Sequence, residues 1–198
     1  MLKNDHRAVD ALFKRFEKAG DRAFSLKRTL VEKMIVELSR HAAIEEEWFY
    51  PATRATVRGV DDVVLESIEE HHIVKWLLSE LEHRDPRDES FKAKVTVLIE
   101  NVRHHVKEEE SEYFPKVRKE LTRRALMELG DAMATAKSTA PTRPHPRSGL
   151  PSGGTAALQS VIERSSGAGP NATNAAHPHA AGKGTHSTKP STAAKASA

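Results

Sequence analysis

The chain has 198 residues, 38% hydrophobic and 30% charged, with ten aromatic residues and no cysteine. That composition fits a soluble globular protein, and it excludes a disulfide framework, a thiolate metal site and a cysteine nucleophile. The net charge of +3 conceals a division: residues 1–130 carry 24 Lys and Arg against 26 Asp and Glu, and residues 131–198 carry 7 against 2.

The basic excess therefore belongs to the C-terminal part and argues against nucleic-acid binding by the rest. No stretch reaches the roughly 18 apolar residues of a membrane span, so no membrane partner is expected. The opening MLKNDHRAVD lacks the apolar run of a signal peptide. A cytoplasmic location is the expectation.

Apolar residues recur at helical spacing through most of the first 130 residues, and strand signals are absent. A first helix is predicted from about Asn4 to Lys18, with Leu2, His6, Val9, Phe13 and Phe16 on one stripe; Ala19-Gly20-Asp21 ends it. A second, from about Ser25 to Tyr50, aligns Leu30, Met34, Leu38, His41, Glu45 and Phe49, and continues past a kink at Pro51. A third spans about Asp61–Glu82, with Val64, Ile68, His71, Val74, Leu78 and Leu81 in line. After a turn at Pro86, Asp88 is the expected N-cap of a fourth helix, about Glu89–Phe114, which aligns Val95, Leu98, Val102, His105, Glu109 and Tyr113. A short amphipathic helix follows at about Arg118–Met133. Trp48, Trp76, Phe13 and Phe16 are expected to serve as packing.

Near Gly130 the composition changes to Ala, Ser, Thr, Pro, Gly and His, which cannot bury enough apolar surface to offset ordering entropy. The predicted organisation is an all-α, up-down-up-down four-helix bundle over 1–125, a short fifth helix over 126–137, and a disordered tail over 138–198. A short helical turn is expected within it around Ala156–Arg164. The tail is read as a spacer or an arm for an unknown partner. Its His145, His177, His179 and His186 follow no ligand spacing.

Superimposing Pro51 on Pro115 brings His41 over His105, Glu45 over Glu109 and Phe49 over Tyr113. In the other two helices His6 falls over His71, Val9 over Val74 and Leu12 over Leu77. The chain thus uses one helical hairpin twice, each copy supplying a His and then a His-x-x-x-Glu. Residues four apart share a helix face, so each His-x-x-x-Glu can reach one ion. All six side chains lie on the apolar stripes and would point inward. A buried carboxylate is costly unless paired or coordinated, and two facing each other drive proton uptake; cations relieve both. Four imidazoles and two carboxylates are too many for one tetrahedral zinc and suit two ions, with iron, zinc, manganese or copper compatible by ligand type. His104 and Glu108 repeat the spacing off the stripe. His72 competes with His71, and only the repeat prefers His71.

The pattern resembles the hemerythrin-like, or HHE cation-binding, family. Asp5-His6, His41-Ala-Ala-Ile-Glu45, Glu70-His71 and His105-Val-Lys-Glu-Glu109 carry the resemblance over about residues 1–120. It implies a four-helix bundle around a non-haem, carboxylate-bridged centre of two Fe ions that binds O₂ or reacts with peroxide or NO. By position, His6, His41, Glu45, His71, His105 and Glu109 would be the metal ligands, with Glu45 and Glu109 bridging. Two departures separate the chain from the family's oxygen carriers. Lys75 stands where they have a further His, and Glu109 follows His105 by four residues, with Glu110 in their fifth place. A missing His leaves an open position or one filled by water or by a carboxylate such as Glu46. That favours turnover of a small oxidant, in a catalase-like way, over reversible carriage. The non-catalytic alternative is an iron or oxygen sensor or a metal store.

Overall fold

The computed structural model describes residues 1–144, and all regular structure among them is helical. Four long helices, α1 (Leu2–Lys18), α2 (Phe24–Ile44), α4 (Asp61–Glu82) and α5 (Glu89–Glu108), form the up-down-up-down bundle. Between them, α1 packs on α2, α2 on α4, α4 on α5, and α5 back on α1. Asp88 caps α5 by accepting from the Ser90 backbone N–H at 2.8 Å, as its sequence position predicts. The loop before α4 turns at Gly59, whose φ of 68° is in the left-handed region that glycine enters without steric cost.

The second and fourth helices continue past their prolines. Each widens before its proline into a π-helical turn, Glu45–Phe49 and Glu109–Tyr113, and then resumes as α3 (Tyr50–Thr56) and α6 (Phe114–Glu120). The Tyr50 N–H donates to the Glu45 carbonyl and the Phe114 N–H to the Glu109 carbonyl, a step of five residues. A proline cannot donate in the ladder and crowds the carbonyl four residues back, and the wider turn relieves both. The widening occurs in both copies of the repeat, beginning at Glu45 and at Glu109. Extra turns of this kind are frequent at functional sites.

The expected short helix at 118–133 is two pieces. α6 ends at Glu120, Leu121 is extended, and α7 (Arg123–Lys137) starts anew with Thr122 accepting from the Ala125 N–H at 3.2 Å. α7 packs against α2 and the first π turn, so it belongs to the bundle body. The chain keeps a defined course beyond it: Ala140 joins the apolar core and Arg143 pairs with Glu82 at 3.2 Å. Residues 145–198 lie outside the described part, and with them most of the expected tail, its helical turn and its histidines.

Two apolar clusters fill the bundle. One holds Val9, Phe13, Leu30, Leu38, Val74, Phe91 and Val102; the other gathers Phe49, Tyr50, Ile68, Tyr113, Phe114 and Leu129 under α3, α6 and α7. The polar stripe residues occupy the layer between them. Trp48 packs partly into the second cluster. Trp76, expected as packing, is 52% exposed with the Lys94 ammonium over its ring at 5.2 Å.

Candidate metal centre

The six stripe residues converge. His6 from α1 and His41 from α2 bring their Nε2 atoms to 3.2 Å, and His71 from α4 and His105 from α5 do so at 3.3 Å. Glu45 and Glu109 lie between the pairs, essentially without solvent exposure. Glu45 Oε2 is 3.1 Å from His41 Nε2 and 3.5 Å from His71 Nε2. Glu109 Oε2 is 3.4 Å from His6 Nε2 and 3.7 Å from His105 Nε2. Each carboxylate therefore reaches one imidazole of each pair. Two groups of donors close enough to hold one ion each result, His6, His41, Glu45 and Glu109 on one side and Glu45, His71 and His105 on the other, with Glu45 common to both. His71 is buried, whereas His72 is partly exposed and pairs with Glu69 at 3.1 Å, which separates the two candidates.

The outer ring nitrogens explain why the inner ones are bare. Glu110 meets His6 Nδ1 at 2.8 Å, Glu46 meets His71 Nδ1 at 2.9 Å, and Glu70 meets His105 Nδ1 at 2.7 Å. Asp5 stands 3.7 Å from His41 Nδ1. A neutral imidazole that donates through Nδ1 exposes a lone pair at Nε2. Two such lone pairs at the separations seen here repel unless a cation, bonding each nitrogen at about 2.0–2.1 Å, is placed between them. Glu45 Oε1 and Glu109 Oε2 are buried without a hydrogen-bond partner, the same request made by oxygen. The donors present fit a pair of cations.

Electrostatics agree. Burial, reinforced by the neighbouring Glu109, pushes the Glu45 carboxyl well above the usual carboxylate range. Burial acts upward on Glu109 too, but the hydrogen bond with His6 and the charge of His105 act against it and hold that carboxyl low. Without metal, burial thus favours the neutral form of Glu45. Burial lowers His71 to about 4 and also lowers His41, so both imidazoles are neutral and free to ligate.

A seventh polar group was hidden from the repeat. Tyr50 is fully buried, and its hydroxyl lies 3.2 Å from Glu109 Oε1, 3.4 Å from His71 Nε2 and 3.5 Å from Glu45 Oε2. Burial, with Glu109 and Glu45 beside it, raises the phenol well above its ordinary value, so it donates to Glu109. Its repeat counterpart is Phe114, which stacks on His6 with centroids 5.9 Å apart. Opposite the carboxylates, the four imidazoles and an aliphatic wall including Val9, Leu38, Val74 and Val102 enclose a cavity of about 20 Å³. That is room for one water-sized molecule.

The sequence profile described as Hemerythrin HHE cation binding domain matches residues 1–117. The chain belongs to this family. A solved hemerythrin HHE cation-binding domain-containing protein of Mycobacterium kansasii shares the HHE fold, with a TM-score of 0.60, 24% identity, and coverage of 70% of this chain and 83% of that one. A curated relative from Nostoc sp., described as a DNA nickase, is 28% identical over 138 residues. That alignment takes in 70% of this chain but only 38% of the Nostoc protein. α7 lies beyond the residues matched to the HHE profile.

Within this HHE domain, the two departures from the oxygen carriers have structural answers. Lys75 does not leave a gap: it is buried, and its Nζ binds Glu46 Oε2 at 2.6 Å. Glu46, considered above as a substitute ligand, is held on the outer nitrogen of His71 by that contact and does not face the inner cluster. Glu110 likewise serves His6 from outside.

Proposed function

We propose that this HHE domain holds two iron ions, bridged by Glu45 and Glu109 and capped by His6 with His41 and by His71 with His105, and that it binds or turns over a small oxidant such as O₂, H₂O₂ or NO. The observation that carries the reading is the sharing of each buried carboxylate between two imidazole pairs. When bound, iron would supply the electrons and the vacant coordination for the oxidant. Zinc or manganese fits the same donors but zinc lacks the redox chemistry.

The chain's own residues set the rest. Glu110, Glu46 and Glu70 accept from the Nδ1 atoms, fix the tautomer and turn each Nε2 inward. The cavity of about 20 Å³ restricts the site to the smallest ligands, and its aliphatic wall keeps bulk water away. The Tyr50 hydroxyl is the proton-bearing group nearest the carboxylates and can donate to an oxygen at Glu109 Oε1. Peroxide removal is the enzymatic form of this reading. The near-balanced charge of residues 1–130 supports no DNA-backbone contact by the bundle, so the nickase relative is a guide to architecture only.

The test is metal analysis and absorption of full-length protein expressed with iron, before and after peroxide, O₂ or NO. Two tightly held irons per chain and a spectrum that responds are expected. The Glu45→Gln/Glu109→Gln protein, which keeps the shapes, is expected to lose two-iron loading and peroxide consumption while remaining helical by circular dichroism. A wild-type protein without bound metal, or one whose iron ignores all three oxidants, would refute the assignment.

A further inference from the structure

The four outer carboxylates are not alike in what neutralises them. Lys3 reaches Glu110 at 2.9 Å, Lys75 reaches Glu46 at 2.6 Å, and Lys137 of α7 reaches Asp5 at 2.7 Å. Among the described residues Glu70 has no lysine or arginine. Its Oε2 binds His105 Nδ1 at 2.7 Å, while its Oε1 turns outward to His104 Nε2 at 3.9 Å. His104 Nε2 in turn is 3.4 Å from Glu108 Oε1. These three donors lie within 4.8 Å of one another at the surface. In the other copy of the repeat the equivalent positions are Asp5, Arg40 and Ile44, so there an arginine and an aliphatic residue take the places of His104 and Glu108, and the carboxylate is neutralised by Lys137.

We propose that Glu70, His104 and Glu108 form an outer divalent-cation site, and that this site is where ions are first captured on the way to the buried pair. One imidazole and two carboxylates are a donor set for Fe(II), Mn(II) or Zn(II). His104 Nε2 lies 3.9 Å from the Glu70 oxygen and 3.4 Å from the Glu108 oxygen, each a separation that one ion with bonds of about 2.0–2.2 Å can span. Exposure of His104 leaves the remaining positions to water, so binding is weak and exchangeable, as capture requires. The two positive charges supply what a lysine supplies at the other three carboxylates. Glu70 also joins the outer cluster to the buried one, with one oxygen in each. This loading role rests on the buried centre described above; the outer site itself does not.

Mn(II) added to the full-length, iron-treated protein, with free Mn(II) read by electron paramagnetic resonance, tests the site. One weakly held Mn(II) per chain is expected. His104→Ala, at an exposed position, and Glu108→Gln, at a half-buried one, should each weaken it about tenfold or more. Stopped-flow addition of Fe(II) to metal-free protein tests the role: both variants should take up iron several-fold more slowly yet reach the wild-type content. Mn(II) binding unchanged by either substitution, or uptake at the wild-type rate, would overturn the inference. Buried iron that is retained while His104→Ala changes nothing condemns the outer site alone, whereas wild-type protein that retains no iron condemns the buried centre, and Mn(II) binding is readable in both.

Discussion

Replacing Lys75 by methionine tests whether the outer carboxylates are structural partners of the imidazoles. Lys75 and Glu46 have side chains only 6% exposed, and their 2.6 Å contact joins a buried ammonium to a carboxylate that already serves His71. Methionine fills the space but removes the charge, leaving Glu46 buried with an imidazole that burial keeps neutral. Breaking one member of a buried ion pair costs about 3–5 kcal/mol, because the remaining charge is uncompensated. At about 2–4 °C per kcal/mol for a chain of this size, the melting temperature should fall by roughly 10 °C. Adding Glu46→Gln to Lys75→Met removes the orphan charge, and the amide oxygen still accepts from His71 Nδ1. The double variant should therefore recover most of the loss. Thermal and urea unfolding of chelator-treated protein, followed by circular dichroism, gives both numbers. A single variant that melts within about 2 °C of the parent, or a double variant no better than the single, would refute the reasoning.

Protonation of His71 and His41, both of which burial holds below the ordinary imidazole value, should make the metal-free bundle acid-sensitive. His71 titrates near 6.5 when unfolded and about 4 when folded, so between those values the unfolded chain binds the extra proton and stability falls as pH drops. The loss from this group is about 3 kcal/mol and is complete once pH is below the folded value; urea midpoints across that window measure it, and midpoints independent of pH would contradict it. Removing residues 138–198 should leave iron content unchanged, while ending the chain before α7 should lower it. The second truncation removes the Lys137 contact to Asp5 and uncovers the aromatic cluster around Phe49 and Phe114; metal analysis of both proteins decides.

The bundle and its six inward donors were legible because helical spacing and the internal repeat are both written in the chain. Expected and observed limits coincide for α4, where Pro86 follows and no proline interrupts. The π turns were not legible as such: a proline announces a broken ladder, and whether the break appears as a kink or a widened turn depends on how Glu45 and Glu109 are held by the other helices. The outer carboxylates were missed because acidic residues beside a ligand are by default solvated. A signal existed, since an acid precedes the first His of each copy, Asp5 and Glu70, and another follows its Glu, Glu46 and Glu110. Lys75 on an apolar stripe was a second signal, because a buried ammonium requires a carboxylate. Tyr50 was hidden because its repeat partner is Phe114, and Trp76 misled because spacing places it in the helix but does not say which face meets a neighbour.

A duplicated hairpin delivers matched donors, but their surroundings make the two proposed cation positions unequal. The His6–His41 pair has Phe114 stacked on one ring, and the carboxylate behind the other is drawn toward Lys137, standing 3.7 Å from His41 Nδ1. The His71–His105 pair has close carboxylates on both outer nitrogens and the Tyr50 hydroxyl at 3.4 Å from one inner nitrogen. Imidazoles hydrogen-bonded to carboxylates are more basic ligands, so the second position should hold its ion more tightly and favour the higher oxidation state. The first, screened by an aromatic ring and less strongly supported, is the one from which an ion leaves first. Partial removal of iron by a mild chelator should therefore pass through a one-iron form whose remaining ion sits beside Tyr50. Tyr50→Phe should alter the absorption spectrum of that one-iron form as it does the spectrum of the fully loaded protein. A half-depleted sample whose spectrum is indifferent to the phenol would mean that duplication made the two positions equivalent after all.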